Sequence, residues 1–357
     1  MAPAWFRYSL EMFLNRYIRA YIYTSTELKK NKSKILREMV WALITKRISP
    51  FFYFHYGFYL KSQTITKIDN YITESLFYYK YLVALNQHWI LLDDKNVFSQ
   101  ICKSEGLTIP STVLRIKNGR ILDHAGNEIL CTSTFDTFLC SLRATELICK
   151  PALMSSGGEG IFKLRINVGH AYCEQTRFGF LEFMKLAHRD WIIEECLVNH
   201  SELRANKEEA LNCIRVITAH PSGADPVAMY IVYKVATTSC LVDNAHSGGI
   251  YVGVNIDTGY LFSVGFTEKY EMYTQHPISG ASFSGIRIPY FENALQLSIR
   301  AAKTFPSLKV IGWDIAITPS GPVIIEGNSF PGLALIQKAH QGAPKLIKFI
   351  KEEYAKI

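Results

Sequence analysis

No two of the eight cysteines lie close enough to form a CxxC pair, so a zinc ribbon and a thioredoxin motif are both excluded. The thiols fall in apolar segments such as Leu147-Ile148-Cys149, which fits buried, reduced cysteines in a cytoplasmic protein. Long apolar runs are missing too. None reaches the ~18 residues of a membrane span. Met1 to Tyr23 is broken by Arg7, Glu11, Arg16 and Arg19, which leaves no signal-peptide core. Low-complexity segments and internal repeats are absent. With 48% hydrophobic and 20% charged residues, composition excludes disorder, collagen and coiled coil. The length of 357 residues suggests two domains or three. There is no Walker loop, no dinucleotide fingerprint, and no Ser-His-Asp or Cys-His arrangement.

Charge is unevenly placed. Residues 1–90 hold 13 Lys/Arg against 5 Asp/Glu, while the remainder holds 26 of each, so the whole net charge of +8 lies in the first 90 residues. The same segment carries 21 of the 46 aromatics. Apolar residues from Trp5 to Tyr21 recur at helical spacing, and a second amphipathic piece runs from Ile35 to Ile44 behind the basic run Lys29–Lys34. A further helix is expected from Ile72 to about His88. Beyond residue 90 the pattern becomes α/β. A helix over Asp94–Gly106 is ended by glycine. Strands are expected at Glu146–Lys150, Ile161–Arg165, Trp191–Cys196, Ile214–Ala219, Met229–Val235, Ile250–Asp257 and Tyr260–Phe266. Helices are expected at Phe178–Ala187, Phe291–Phe305 and Ala343–Ala355, and a hairpin at Val310–Thr318 and Val323–Glu326, turned by Pro319-Ser320-Gly321-Pro322.

Four motifs carry candidate chemistry. Lys150-Pro151 ends a strand before Ser155-Ser156-Gly157-Gly158-Glu159-Gly160. The residues leave open a plain hairpin loop or a cover whose backbone N–H groups approach phosphate. Glu194 and Glu195 end an apolar strand, with Glu202 seven residues after Glu195. They are solvated acids or acceptors for an adenine amine and ribose hydroxyls. Asp314 on one hairpin strand and Glu326 and Asn328 on the other put three oxygen ligands among apolar neighbours; they are hairpin carboxylates facing solvent or a site for Mg²⁺, which takes one or two carboxylates and completes its shell with phosphates and water. Arg215 interrupts the apolar strand Cys213–Thr218 and needs a partner, either an internal acid or a transferring phosphoryl group.

In order along the chain, these residues resemble the ATP-grasp superfamily: Asp94-Lys95, then Gly106-Leu107-Thr108-Ile109-Pro110, Lys150-Pro151 with its glycine loop, Glu194-Glu195, and Asp314 with Glu326-Gly327-Asn328. Asn212-Cys213-Ile214-Arg215-Val216-Ile217-Thr218, His276-Pro277 and Gly312-Trp313-Asp314-Ile315-Ala316-Ile317-Thr318 are similar to its sugar-transfer-associated branch. The resemblance implies an α+β chain with the ATP-grasp fold, two α/β subdomains gripping ATP, behind an N-terminal helical region. The expected division is 1–90 helical, 91–145 linking, 146–200 small subdomain and 201–357 large subdomain.

Carried over by position, Lys150 would contact the adenine or α-phosphate region. Ser155, Ser156, Gly157, Gly158 and Gly160 would cover the β- and γ-phosphates. Glu194, Glu195 and Leu197 would form the adenine hinge, and Glu202 would hold ribose. Arg215 would stabilise the transferred phosphoryl group, and Asp314, Glu326 and Asn328 would bind Mg²⁺. Lys95 would be a second lysine, although many relatives place one where this chain has Ser99. His246 and His276 lie in loops that face a substrate or simply the surface.

The activity implied is ADP-forming ligation of a small-molecule carboxylate to an amine through an acyl phosphate. The carboxylate would be a uronic acid or glycan precursor, free, nucleotide-linked or lipid-linked. A phosphotransferase on the same fold and a nucleotide-gated binding module are the alternatives. For the basic N-terminus three roles stand open: packing on the catalytic body, peripheral contact with the inner face of a membrane, or, ranked last, nucleic-acid binding.

Overall fold

The computed structural model describes residues 21–22, 24–153, 160–203, 211–237, 249–267 and 271–357. The amphipathic stretch expected from Trp5, and Ser155, Ser156, Gly157, Gly158 and His246, lie outside the described residues.

In the N-terminal region, α1 (Lys32–Lys46) begins where the Asn31 side chain accepts the Lys34 N–H at 2.8 Å. α2 (Pro50–His55) starts on a proline. A third helical run, α3, spans 74–85 with a π-helical stretch at Phe77–Leu82. It ends at Asn86, two residues short of the expected boundary. After α4 (Ile90–Asp93) comes α5 (Lys95–Ser104), capped by the Asp94 carboxylate, which accepts N–H bonds from Asn96 and Val97. Gly106 follows in the left-handed region, φ 63°, as the helix stop requires.

Two seven-stranded antiparallel sheets follow. The first contains β1 (Thr112–Lys117), β2 (Arg120–Asp123), β3 (Glu146–Pro151), β4 (Phe162–Asn167), β5 (His170–Cys173), β6 (Thr176–Arg177) and β7 (Trp191–Glu195), in the order β2-β1-β7-β3-β4-β5-β6. Strands from segments 91–145 and 146–200 therefore share one sheet. Helices α6 (Thr132–Ser141) and α7 (Phe180–Leu186) cover one of its faces through Phe135, Leu139 and Phe183.

The second sheet contains β8 (Cys213–Ala219), β9 (Val227–Val235), β10 (Ile250–Val254), β11 (Leu261–Phe266), β12 (Met272–Tyr273), β13 (Val310–Thr318) and β14 (Gly321–Asn328), in the order β12-β11-β10-β9-β8-β13-β14. The helices of this half are α8 (Phe291–Thr304), α9 (Leu333–His340) and α10 (Pro344–Tyr354). On one face Ile214, Val216, Trp313, Ile315 and Ile324 pack on α8 and α5. On the other, Ile217, Tyr230, Val232 and Val310 pack on α3, α9 and α10. Both faces are covered, so every residue of β13 is buried, and its apolar run, broken by Asp314, reflects that. Helix α9, unpredicted, is buried at six of its eight positions and so lacks the one-sided periodicity that marks a surface helix.

The aromatic N-terminal region packs on this body. Phe52, Tyr53, Tyr56, Phe58, Tyr59 and Tyr71 form a cluster that reaches Ala334 of α9. Gln337 locks the contact: its amide donates to Tyr56 Oη (2.7 Å) and Ile72 O (3.0 Å), and its oxygen accepts from Ile72 N (2.7 Å). Asn86 does the same deeper in, donating to Val310 O and Ser329 O and accepting from the N–H groups of Lys309 and Val310. Among the described residues, no helix is long and apolar enough to cross a membrane.

Candidate functional site

On the first sheet, Arg115 of β1 and Lys150 of β3 both lie directly opposite Ile192 of the central strand β7, and Glu194 follows two residues later on the same face. Lys150 Nζ donates to Glu194 Oε2 at 2.8 Å, and both side chains are buried. Burial opposes the Lys150 charge, but the Glu194 carboxylate outweighs it, so the ammonium is held more firmly than usual. Lys95 opens α5, its backbone N–H donating to Ala152 O at 2.9 Å. Burial pulls the proton affinity of its ammonium down, and Lys150 adds to that; Glu326 opposes both.

Arg115 is a site residue that the sequence reading missed. Its Nη2 donates to Ser99 Oγ at 3.3 Å, so a cation stands beside the position where a lysine was the family expectation. Its Nε is buried with no hydrogen-bond partner. Burial lowers its proton affinity and Glu194 restores part of it. Lys95, Lys150 and Arg115 around Glu194 leave surplus positive charge, the electrostatics of a polyphosphate site.

The hinge residues diverge. Glu195 points to the other face and is exposed. Its N–H donates to Ser111 O, and the Cys196 N–H to Glu146 O. Leu197 is half-buried in the segment leading to the second sheet, where the His200 N–H donates to Ile317 O at 2.7 Å. Glu202 is exposed in the 3₁₀ turn Ser201–Leu203. Gly160, φ 76°, is the described end of the glycine loop.

On the second sheet, register aligns Val232, Arg215, Asp314 and Glu326 across β9, β8, β13 and β14. Arg215 grips Asp314 with two bonds of 2.7 Å, Nε to Oδ1 and Nη2 to Oδ2, and its Nη2 lies 4.0 Å from Glu326. Lys234, which the sequence reading also passed over, donates to Asp314 Oδ2 at 3.0 Å. The signal was the one that marked Arg215: a cation inside an apolar strand, here Tyr230–Val235. Burial favours the neutral acid at Asp314, but Arg215 and Lys234 overcome it and hold the carboxyl far below the ordinary range.

A β-bulge makes the row possible. Asp314 pairs with Glu326 but Ile315 pairs with Ile324, so Ile325 is the extra residue. Without it, Ile324 and Glu326 would share a face. With it, Ile324 enters the core beside Ile315 while Glu326 stands beside Asp314. Asn328 Nδ2 donates to Glu326 Oε1 (3.3 Å) and Gly312 O (3.2 Å), leaving its Oδ1 as an acceptor. Past it, the loop to α9 crosses Arg215. A Cβ added at Gly332 would stand 3.9 Å from Arg215 Nη1, and the Tyr78 hydroxyl of α3 donates to Pro331 O at 3.3 Å.

Glu326 stands 4.0 Å from Arg215 Nη2, and its charge favours the protonated forms of Lys95, Lys150 and Arg215. His276 belongs to a turn instead, accepting the Ser279 N–H at Nδ1 (3.2 Å) with Nε2 on Ala236 O (3.0 Å).

The donors suit a hard divalent cation. Glu326, Asn328 and Asp314 offer only oxygen, and Mg²⁺ takes one or two carboxylates with phosphate and water. Among the described residues no group of three or more His, Cys, Asp or Glu is set to hold a metal. Both Asp314 oxygens are engaged by cations, so Glu326 and Asn328 are the more accessible donors.

A family model described as sugar-transfer associated ATP-grasp matches residues 77–350. No curated protein matches. Among solved structures the chain is similar to the D-alanine–D-alanine ligase of Coxiella burnetii, with a TM-score of 0.44, 10% identity, and 74% of this chain covered against 59% of that one. It is also similar to the VanG D-Ala:D-Ser ligase of Enterococcus faecalis, with a TM-score of 0.42, 13% identity, and coverage of 73% and 61%. A third is the N5-carboxyaminoimidazole ribonucleotide synthetase of Thermotoga maritima, with a TM-score of 0.36, 11% identity, and coverage of 70% and 48%. The chain thus spans under two thirds of the length of each.

Proposed function

The chain belongs to the sugar-transfer associated ATP-grasp family, and we propose that it is an Mg·ATP-dependent carboxylate–amine ligase. A substrate carboxylate attacks the γ-phosphate, giving an acyl phosphate and ADP. An amine then attacks the acyl carbon and releases phosphate. The chemistry asks the protein for alignment and charge neutralisation rather than a nucleophile.

The observation that carries this reading is the position of Glu326, 4.0 Å from Arg215 Nη2 on the second sheet, with a charge that also favours the ammonium forms of Lys95 on α5 and Lys150 on the first sheet. Lys95, Lys150 and Arg115 hold the nucleotide phosphates, and covering the β- and γ-phosphates falls to Ser155, Ser156, Gly157, Gly158 and Gly160. Glu194 fixes Lys150, the backbone around Glu195 and Leu197 meets adenine, and Glu202 meets ribose. Arg215 and Lys234 neutralise charge on the transferred phosphoryl group. Glu326, Asn328 and Asp314 would hold Mg²⁺, which would screen the charge of the phosphate oxygens.

The carboxylate is a uronic acid or glycan precursor, free, nucleotide-linked or lipid-linked; the family description supports the sugar. The test is product analysis with Mg·ATP, pooled amines and amino acids, and pooled uronic acids and sugar nucleotides, each omitted in turn. The expected result is ADP that requires both pools. ADP formed without any amine means phosphotransfer, and AMP contradicts an acyl phosphate.

A further inference from the structure

Helix α1 folds with one side and leaves the other bare. Ile35 and Ala42 are buried against the aromatic cluster of Phe52, Tyr53 and Phe58. At about 100° per residue, Leu36, Val40, Leu43 and Ile44 fall together on the opposite side. They are 60%, 46%, 49% and 71% exposed. Single exposed aliphatics are ordinary on a protein surface. A stripe at i, i+4, i+7 and i+8 has the spacing of a helix face meant to be covered.

The charges around it are basic apart from Asp69, which accepts from Lys46 Nζ at 2.7 Å. Lys32, Lys34, Arg37, Lys46 and Arg47 are exposed around the stripe. The one acid of the helix, Glu38, is turned inward, where it accepts from Lys30 Nζ (2.7 Å) and Tyr53 Oη (2.6 Å). Trp41 stands at the border, with Lys46 Nζ 6.0 Å from its ring centroid. The Asn31 cap and the inward Glu38 fix the helix, so the face exists before any partner arrives.

We propose that this face docks on an anionic lipid bilayer. The helix lies in the headgroup plane, the aliphatic stripe enters the acyl boundary, the lysines and arginines meet lipid phosphates, and Trp41 sits at the interface. A second copy is a poor occupant. A two-fold contact through the same stripe sets Lys32, Arg37 and Arg47 against like charges. The proposal goes beyond the ligase reading and does not depend on it.

The test is co-sedimentation of the full chain, without nucleotide or substrate, with phosphatidylcholine vesicles and with vesicles in which about a third of the lipid is phosphatidylserine. Binding is expected to favour the anionic vesicles by at least about 10-fold and to weaken as salt rises. The Leu36→Glu/Ile44→Glu variant should lose binding with its melting temperature unchanged, and Lys32→Glu/Arg37→Glu should lose the anionic preference. The proposal is overturned by no sedimentation with either vesicle, by equal binding to both, or by full binding of the Leu36→Glu/Ile44→Glu variant. A marked fall in that variant's melting temperature would mean the chain's own residues cover the stripe. A lipid-free dimer that the same variant dissociates would mean a second copy does; either overturns it.

Discussion

Arg215 and Asp314 stand directly opposite each other on β8 and β13, joined by two charge-assisted bonds of 2.7 Å, although 99 residues separate them in sequence. Asp314 is buried and Arg215 largely so, and removing one partner strands a charge. Arg215→Ala should therefore destabilise the fold by about 3–5 kcal/mol and lower turnover at least about 100-fold. Denaturant unfolding and single-turnover kinetics check both. Near-normal stability would mean that Lys234 alone satisfies Asp314.

Glu326 is half-exposed and anchors no core. Glu326→Ala should leave the melting temperature within a few degrees of the parent while abolishing turnover. Full activity in a folded variant would remove the centre of the proposed site.

Arg115 and Lys150 should act on nucleotide affinity. A hydrogen bond to a charged group contributes about 1.5–3 kcal/mol, or roughly 10- to 100-fold in affinity. Arg115→Met and Lys150→Met should each weaken ATP binding in that range by calorimetry. Unchanged affinity in Arg115→Met would reduce Arg115 to a brace for Ser99.

Asn86 tests the join between the N-terminal region and the second sheet. Asn86→Leu keeps the branched skeleton but strands four backbone groups that Asn86 now satisfies. The expected loss is about 2–5 kcal/mol, seen as a lower midpoint in thermal unfolding. A variant as stable as the parent would show that other groups or water satisfy them.

His340 gives a pH dependence. Burial keeps its imidazole neutral, lowering its proton affinity, although its bond to Ile231 O pulls the other way. The unfolded chain binds the proton more readily, so stability is lost as pH falls through about 6.5, the ordinary histidine value. His340→Gln, which keeps a donor, should show a smaller fall in melting temperature between pH 7.5 and 5. An equal fall would move the effect to another group, such as His220, whose proton affinity burial also lowers.

Much of the fold is local and so can be read from sequence. The hairpin of β13 and β14, the Asp94 cap with its Gly106 stop, and the strand ending in Lys150 all follow from alternation, capping and turn chemistry within a few residues. What escaped has two physical sources. Short strands such as β5 and β6, and the all-round apolar α9, carry too little periodicity to declare themselves. Arg115, Lys234 and Asn86 look like scattered polar residues until packing supplies their neighbours.

By itself, then, the sequence determined the residue types of the site, the order in which they occur and the basic, aromatic character of the first 90 residues. Only the tertiary structure decided which charges meet. Pairing strands remote in sequence sets Arg215 against Asp314, the single bulge at Ile325 turns Glu326 toward them instead of into the core, and the approach of α5 brings Lys95 beside Lys150. Side-chain face in a sheet alternates with every residue, so one step of register reverses it. Register between distant strands is settled by the packing of the whole sheet, which no local pattern encodes.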